Sequence, residues 1–278
     1  MRLVLLTLLS MLAFAANSLL CRLALASGSI DPASFSAIRL ASGAAMLVVV
    51  MRVRKVSPIA RGGWVPAFWL FAYAAAFSFA YVRLPTGVGA LLLFGAVQAT
   101  MVGAGLWRGE RLLPRQWCGL VLAMGGLVAL LLPGLSAPSP GSAALMLAAG
   151  VGWGAYSLYG KQALDPGAAT AGNFVRAVPF AALLVAVCAT QLSVSGAGLV
   201  YALCSGAVTS GLGYIVWYTV LPRLRSSAAA SVQLSVPMLA ALGGTLLLGE
   251  AWTQRLSWTG LAILGGIALV VLAPKRPA

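Results

Sequence analysis

Aromatic side chains recur at helical spacing in three apolar stretches of this chain. The three groups are Trp69, Tyr73, Phe77 and Tyr81; Trp153, Tyr156 and Tyr159; and Tyr214, Trp217 and Tyr218. Spacings of three and four residues bring the rings of one group to one face of a helix. Such a face can stack a flat ring or hold an ammonium group by cation–π attraction. Packing in a core or against lipid is equally consistent with any single ring.

Position within each stretch divides these rings into two sets. Rings near the end of a stretch fit the interfacial belt of Trp and Tyr that membrane helices carry. They are Tyr81, Trp217 and Tyr218. Rings that lie too deep for a belt are the ones we expect to face a binding site. They are Tyr73, Phe77, Trp153 and Tyr156.

Uncharged hydrogen-bonding side chains lie well inside the same kind of stretch. They are Asn17, Ser18, Gln98, Thr100, Ser157 and Gln233. In hydrocarbon such groups need partners, so they should face the interior of a helix bundle or a wet cavity. Neutral hydrogen bonding beside aromatic rings suits a zwitterionic amino acid and does not suit a polyphosphate. The predicted substrate-binding residues are Asn17, Tyr73, Phe77, Gln98, Trp153, Tyr156, Tyr214 and Gln233.

Two arginines, Arg39 and Arg176, lie several residues inside apolar stretches, where an unpaired charge is costly. Either one could meet a substrate carboxylate in a cavity. They could instead extend to the interface, or pair with Asp31 and Asp165 respectively. We favour this second interpretation and keep both arginines as candidate carboxylate contacts.

The four acidic residues all lie away from the middle of the apolar stretches. Asp31 and Asp165 each precede a proline, and Glu110 and Glu250 lie at stretch ends, where we expect them to pair with arginine or cap a helix. A proton-driven pump usually carries a carboxylate within the membrane, where burial raises its pKa. Because this chain offers no such group and no histidine, the sequence argues against a proton-driven pump. No catalytic residue, metal site or cofactor is predicted.

Composition indicates the solvent that these stretches face. Hydrophobic residues make up 61% of the 278-residue chain and charged residues only 8%, whereas a soluble domain has about a quarter of its residues charged. A backbone in hydrocarbon must satisfy its own hydrogen bonds, so it spans as a helix or in a closed barrel. The apolar runs here are continuous over about 20 residues, unlike the alternating strands of barrels. The predicted fold class is an all-α integral membrane protein.

Ten apolar runs are predicted to be transmembrane helices. They are 3–26, 33–51, 64–82, 86–107, 116–132, 142–160, 168–192, 199–221, 228–248 and 256–273. The first could imitate a signal peptide, but it is long enough to span and we treat it as a helix. The net charge of +14 comes from basic residues scattered in short loops, which favours membrane orientation over nucleic-acid binding. Because 14 of the 18 Lys and Arg residues collect at one end, both termini are predicted to be cytoplasmic.

The two halves of the chain match each other. Each contains Gly-Glu, then Trp-x-Gly, a later Gly and a Pro, over 109–133 and again over 249–274. Near the start of each half, Phe14, Asn17, Ser18 and Arg22 align with Trp153, Tyr156, Ser157 and Lys161. An odd number of helices per half inverts the second copy, which is the usual construction of a secondary transporter with its site near the midplane. We predict a first repeat over 1–133, a connecting loop over 134–141 and a second repeat over 142–278.

These repeated motifs resemble the ten-helix EamA-type branch of the drug/metabolite transporter superfamily, and within it the aromatic amino-acid exporters. Pro237 fits a proline that the branch carries in its ninth helix, although Val97 stands at the matching place in the first half. The resemblance covers the whole chain. It implies that helices 1–4 and 6–9 enclose a substrate cavity, with helices 5 and 10 to the side. It also implies a bacterial inner (plasma) membrane location.

The predicted function is export of amino acids, aromatic ones above all, and of related small metabolites by facilitated diffusion with alternating access. The expected partners are a small-molecule substrate and the lipid bilayer, with no nucleic acid, and the chain is a monomer or weak homodimer. One alternative is proton-coupled efflux of drugs or organic cations. A sugar-phosphate-type antiporter is less favoured, because it needs a cluster of intramembrane Lys and Arg.

Two other classes of protein fit less well. A membrane enzyme needs acids, histidines or metal ligands gathered at one membrane face, and the sequence lacks such a cluster. A structural or signalling bundle would have no use for an inverted repeat. We therefore predict a transporter and not an enzyme.

Overall fold

The computed structural model describes residues 2–57, 61–109, 111–134, 137–160, 163–220, 223–224 and 232–272. These residues contain ten helices, and the only β pairing among them is an isolated bridge between Ile30 and Val194. The helices are α1 Arg2–Ala26, α2 Pro32–Val53, α3 Trp64–Tyr81, α4 Thr86–Trp107, α5 Pro114–Leu131, α6 Pro140–Gly160, α7 Pro166–Val187, α8 Gly196–Val220, α9 Ser235–Leu248 and α10 Gln254–Val271. The middle of α8, Cys204–Leu212, is π-helical.

Eight of these ten helices are long and apolar enough to cross a membrane, the exceptions being α6 and α9. α6 has 21 residues, five of which are glycines, and its hydropathy falls short of that of the eight. α9 is apolar and has 14 residues, and the predicted start of its run at Ala228 lies outside the described part of the chain. The all-helical membrane architecture is confirmed, whereas the number of ten spans stays a prediction.

Two aspartates start helices at equivalent places. Asp31 and Asp165 are the N-caps of α2 and α7, and each is followed by a proline, whose fixed φ suits the first helical position. Asp31 Oδ1 accepts the N–H of Ser34 at 2.9 Å, and Asp165 Oδ1 accepts the N–H of Ala168 at 3.0 Å. Burial alone would raise the pKa of the Asp31 carboxyl, but its hydrogen bonds outweigh burial and hold this pKa below its ordinary value.

The chain after α7 leaves the helix earlier than predicted. The sequence placed this run to Leu192, but α7 ends at Val187 and a 3₁₀ turn follows. Ser193 and Asp31 explain the change, because the Ser193 N–H donates to Asp31 Oδ2 at 3.0 Å and the Asp31 N–H donates to the Ser193 carbonyl at 2.9 Å. Backbone groups that pair with another loop cannot also close helical hydrogen bonds.

α5 and α10 form a pair at the side of the bundle. They pack on each other and against α4. Gly119 and Gly266 allow the close approach, because a Cβ on either glycine would lie 2.5 Å from the carbonyl oxygen of the other. The expected position of these two helices beside the remaining eight is thus confirmed.

Glu250 and Arg22 connect α1, α3 and α4 at one end of the bundle. Glu250 Oε1 lies 3.0 Å from Arg22 Nε on α1, and Glu250 Oε2 accepts the Thr86 N–H at the start of α4 at 2.7 Å. Arg22 also donates to two carbonyl oxygens at the end of α3. The expectation that Glu250 pairs with arginine and caps a helix is confirmed, and Glu110 lies outside the described residues. We call this the Arg22 end, and the opposite end, which contains Arg54, the Arg54 end.

Two of the three rings expected in an interfacial belt are instead buried. Tyr81 is fully buried, with its ring 4.7 Å from that of Phe77, and its hydroxyl donates to a carbonyl at the start of α4. Trp217 is 7% exposed and meets the ring of Phe14 edge-on at 6.0 Å. The belt prediction is wrong for both, because it considered depth in the helix and not which neighbour covers that face. Tyr218 is partly buried against the core.

Replacing Glu250 with alanine is expected to lower the free energy of unfolding by about 1–3 kcal/mol. The substitution leaves the guanidinium of Arg22 without its carboxylate, and the two side chains are only 18% and 14% exposed. Denaturant unfolding in detergent measures the loss. The control is Arg54→Ala, because Arg54 and Asp165 are 3.7 Å apart and 46% and 34% exposed, so that the loss should stay below about 1 kcal/mol. Equal losses in the two variants would contradict the role given to Glu250.

Candidate functional site

A cavity lies at mid-depth in the bundle, among α1, α3, α4, α6, α8 and the residues just before α9. Its empty space, including the open mouth, is about 440 Å³. The residues that line it are Phe14, Asn17, Ser18, Tyr73, Phe77, Leu93, Phe94, Trp153, Thr209, Ser210, Tyr214 and Gln233. Half of these twelve residues are aromatic, and five of the others are polar and uncharged.

Trp153 is the centre of the aromatic wall. Its ring centroid lies 5.0 Å from that of Tyr73 and 5.2 Å from that of Tyr214. Tyr73 lies 5.4 Å from Phe77, and Tyr214 lies 5.8 Å from Phe14. These separations are in the favourable range for tilted and edge-to-face rings. A flat ring of a ligand could be held by the same geometry.

Glycines in α6 bring Trp153 to this position. A Cβ on Gly150 would lie 2.7 Å from the carbonyl oxygen of Leu93 on α4, and one on Gly152 would lie 3.1 Å from the backbone nitrogen of Tyr73 on α3. Only the absence of a side chain at these positions allows the three backbones to approach so closely. The glycines of α6 therefore place its tryptophan in the cavity.

Asn17 organises the polar part of the lining. Its Oδ1 accepts hydrogen bonds from Ser205 Oγ at 2.7 Å and from Thr209 Oγ1 at 3.2 Å, so α1 is joined to the π-helical part of α8. All three side chains are buried. Their hydrogen bonds meet the need for partners that a low-dielectric interior imposes.

The π-helical part of α8 packs directly on α2. A Cβ on Gly206 would collide with Ser42 Oγ and with the carbonyl oxygen of Arg39, and one on Gly43 would lie 3.1 Å from the carbonyl oxygen of Gly206. π-helical segments are rare and widen the helical turn. Here the segment Cys204–Leu212 carries the cavity-lining Thr209 and Ser210.

Arg39 lies behind the cavity wall and is 2% exposed. Its Nη2 donates to the hydroxyl of Tyr73 at 3.0 Å, and its Nε donates to Ser210 Oγ at 3.2 Å. Its Cζ lies 5.2 Å from the ring centroid of Tyr73 and 5.1 Å from that of Phe77. The expected pairing of Arg39 with Asp31 does not occur, because the Asp31 carboxylate caps α2 and binds Ser193.

Most of the predicted site residues come together in this cavity. Those that line it are Asn17, Tyr73, Phe77, Trp153, Tyr214 and Gln233. Tyr156 lies behind Trp153, with ring centroids 5.5 Å apart, and its hydroxyl meets Thr170 Oγ1 at 3.3 Å. It supports the wall without lining it.

Two predicted residues lie elsewhere. Gln98 lines a separate cleft between α4, α5 and α10. Arg176 lies towards the Arg54 end, where it donates to the carbonyl oxygens of Arg61 and Gly172 at 3.0 and 3.1 Å. Tertiary packing therefore separates both from the cavity.

Sequence reasoning did not assign six of the lining residues to the site. They are Phe14, Ser18, Leu93, Phe94, Thr209 and Ser210. A signal existed for Phe14, which aligns with Trp153 between the halves. The polar positions of Thr209 and Ser210 inside an apolar run were a further signal. Leu93 and Phe94 are indistinguishable in the sequence from other apolar residues of α4.

The side of the cavity towards the Arg22 end is closed. Phe77 lines the cavity, Tyr81 lies one turn further along α3, and the pair of Arg22 and Glu250 follows. Tyr81 and Leu84 are fully buried there. A ligand in the cavity would be separated from the Arg22 end by these layers.

Comparison with known proteins agrees with this architecture. Residues 141–272 match the EamA-like transporter family. A Pseudomonas aeruginosa protein, named uncharacterized protein PA1977, is 59% identical over 276 residues, which are 99% of this chain and 96% of that protein. The chain belongs to the EamA-like transporter family. It is therefore a membrane transporter of the drug/metabolite transporter superfamily, as its repeated Gly-Glu and Trp-x-Gly motifs indicated.

Two more distant matches also cover most of the chain. The uncharacterized transporter YwfM of Bacillus subtilis is 25% identical over 268 residues, covering 91% of this chain and 88% of that protein. One crystal structure of a protein superposes with a TM-score of 0.65 at 20% identity, covering 95% of this chain and 97% of the other. At that identity the likeness concerns the fold alone. Membership of the EamA-like family thus establishes transport and leaves the substrate to be inferred from the cavity.

Replacing Gly206 with alanine is expected to destabilise this EamA-like transporter by about 1–3 kcal/mol, because the added methyl group overpacks the contact between α2 and α8. Thermal unfolding in detergent measures the effect. Gly265→Ala is the control, since a Cβ there meets nothing within 4 Å. The control should be neutral or slightly stabilising, because alanine favours a helix over glycine. An unchanged melting temperature for Gly206→Ala would contradict the close approach.

Proposed function

We propose that this EamA-like transporter exports amino acids, preferentially aromatic ones, and related small metabolites across the bacterial inner (plasma) membrane. The observation that carries the proposal is the cavity, where aromatic rings and neutral hydrogen-bonding groups are interleaved. The rings are Phe14, Tyr73, Phe77, Phe94, Trp153 and Tyr214. A planar side chain could stack between Trp153 and its neighbours, and the polar groups could bind the ammonium and carboxylate of a zwitterion.

The mechanism proposed is facilitated diffusion with alternating access. Among the residues that the structure describes, no Asp or Glu lines the cavity. The three described acids already serve the fold, since Asp31 and Asp165 cap helices and Glu250 binds Arg22. Proton-coupled drug or organic-cation efflux, the main alternative, needs a carboxylate that titrates within the membrane. The described part of the cavity favours the uncoupled mechanism.

The proposed architecture is ten spans in two inverted repeats, 1–133 and 142–278, joined by 134–141, with both termini cytoplasmic. Asp31 and Asp165 support the repeat, because each caps the second helix of its half. The pairing of α5 with α10, the last helices of the two halves, supports it further. The excess of basic residues makes the Arg54 end cytoplasmic by the positive-inside rule.

Uptake of labelled phenylalanine or tryptophan into proteoliposomes tests the proposal, with empty liposomes as the control. We expect saturable uptake that a pH gradient leaves unchanged, because the described cavity offers no carboxylate to carry a proton. Saturable uptake that requires the gradient would favour the proton-coupled alternative. Absence of saturable uptake of both amino acids would overturn the aromatic preference.

Replacing Trp153 with alanine is expected to lower kcat/KM for an aromatic amino acid roughly tenfold, because the cavity loses its central ring. Tyr156→Ala should also lower transport, since Tyr156 supports Trp153 from behind. Both variants should still insert in the membrane, which size-exclusion chromatography of the purified protein checks. Trp258→Ala is the control, because Trp258 lies on α10 and is 71% exposed. Normal transport by a folded Trp153/Tyr156 double variant would remove both residues from the site.

A further inference from the structure

We infer that the hydroxyl groups of Tyr73 and Ser210, polarised by the buried guanidinium of Arg39, form the receptor for a substrate carboxylate. Both hydroxyl-bearing residues line the cavity, and Arg39 lies directly behind them. This inference deepens the proposed function and rests on it, since it names the group of the substrate that is recognised. It makes Arg39 a positioning residue and Tyr73 and Ser210 the contacts.

The direction of the two hydrogen bonds carries the inference. Arginine has five N–H donors and no acceptor, so the oxygen atoms of Tyr73 and Ser210 must accept from it. Each hydroxyl therefore keeps its own proton for another acceptor. Within the described part of the chain, neither hydroxyl donates to any group. Two O–H donors on residues of the cavity wall are thus left for a ligand.

None of the acids that the structure describes neutralises the charge of Arg39. The described carboxylates of Asp31, Asp165 and Glu250 are held by other partners, at the two ends of the bundle. The contacts of Arg39 are instead the hydroxyls of Ser210 and Tyr73 and the aromatic rings of Tyr73 and Phe77. Its Nη1 is buried and has no hydrogen-bond partner among the described residues.

An unneutralised buried cation makes the cavity selective by charge. In a low-dielectric interior its field acts strongly over short distances, and a guanidinium does not lose its proton. A carboxylate next to Tyr73 and Ser210 would offset the cost of burying this charge, whereas an ammonium group there would increase it. A hydroxyl that accepts a hydrogen bond from a cation also donates a stronger hydrogen bond to a carboxylate. A ligand with an aromatic ring and a carboxylate therefore suits the cavity, because the ring can pack on the aromatic wall and the carboxylate can bind the hydroxyls of Tyr73 and Ser210.

Three ligands that share a phenyl ring distinguish recognition of a carboxylate from recognition of an ammonium group. They are 3-phenylpropionate, which has only the carboxylate, phenethylamine, which has only the ammonium group, and phenylalanine, which has both. Binding is measured by ligand-induced thermal stabilisation of the purified protein, so that it does not depend on transport. We expect 3-phenylpropionate and phenylalanine to stabilise the wild type and phenethylamine to have no effect.

Variants of the receptor test the assignment of residues. Tyr73→Phe and Ser210→Ala should each weaken binding of 3-phenylpropionate roughly 10- to 100-fold, as expected for the loss of a hydrogen bond to a charged group. Arg39→Met should weaken it as well, because it removes the charge that polarises both hydroxyls. Arg39→Lys keeps the charge but loses the planar guanidinium, whose N–H groups reach both hydroxyls. This variant should therefore keep the preference for a carboxylate with a weaker affinity. This variant also provides a test if Arg39→Met does not fold. Arg176→Met is the matched control, since Arg176 is an arginine of α7 outside the cavity, and its preference should equal that of the wild type.

The outcomes distinguish the receptor from the proposed function. Stabilisation by phenethylamine as strong as that by 3-phenylpropionate would overturn the receptor, and so would a carboxylate preference that survives in folded Arg39→Met. No binding of 3-phenylpropionate to the wild type would overturn it as well. Binding of 3-phenylpropionate that depends on Arg39, without uptake of phenylalanine or tryptophan, would uphold the receptor for an aromatic carboxylate while overturning amino-acid export.

Discussion

A polar group placed in hydrocarbon must find its partner within the protein, and most features of this structure satisfy that constraint. Hydroxyl groups on the helices turn back to the carbonyl oxygen four residues earlier, as Ser78 does to Ala74 and Thr209 does to Ser205. The amide oxygen of Asn17 accepts hydrogen bonds from the hydroxyls of Ser205 and Thr209. Three buried polar atoms of the described residues have no hydrogen-bond partner, namely Arg39 Nη1, Thr86 Oγ1 and Ser139 Oγ, and of these Arg39 Nη1 belongs to the residue behind the cavity wall.

Close packing of the helices serves the same need, because it excludes lipid and water from between them. Glycines at Gly119, Gly150 and Gly206 let backbones approach to distances that a methyl group would forbid. Without a hydrophobic effect between helices in lipid, such contacts and the hydrogen bonds between helices supply the attraction. The cavity exists where this packing is interrupted by large rings, which cannot interdigitate as glycines do. Trp153 shows the connection, since glycines on both sides of it draw α6 against α3 and α4.

The candidate site could be predicted from the sequence wherever a polar or aromatic residue was conspicuous in an apolar helix. Asn17, Tyr73 and Trp153 were recognisable for that reason, and all three line the cavity. Gln98 met the same criterion and lies in a different cleft, because the rotation of α4 about its axis depends on its neighbours. Phe94 lines the cavity although its sequence context does not distinguish it from the leucines beside it. Helical periodicity defines faces, but it does not say which face meets which partner.

The sequence by itself determined that the chain lies in a lipid bilayer, that it is helical, and where many helices end. These properties depend on local composition and on residues close in the chain. Asp31 and Asp165 show this, since an aspartate before a proline starts a helix in either half. Only the tertiary structure decided that Tyr81 is buried, that Glu250 binds Arg22, and that Arg39 stands behind Tyr73 and Ser210. Those outcomes depend on residues as many as 228 positions apart. Contacts over such separations follow from how whole helices pack, which no local pattern encodes.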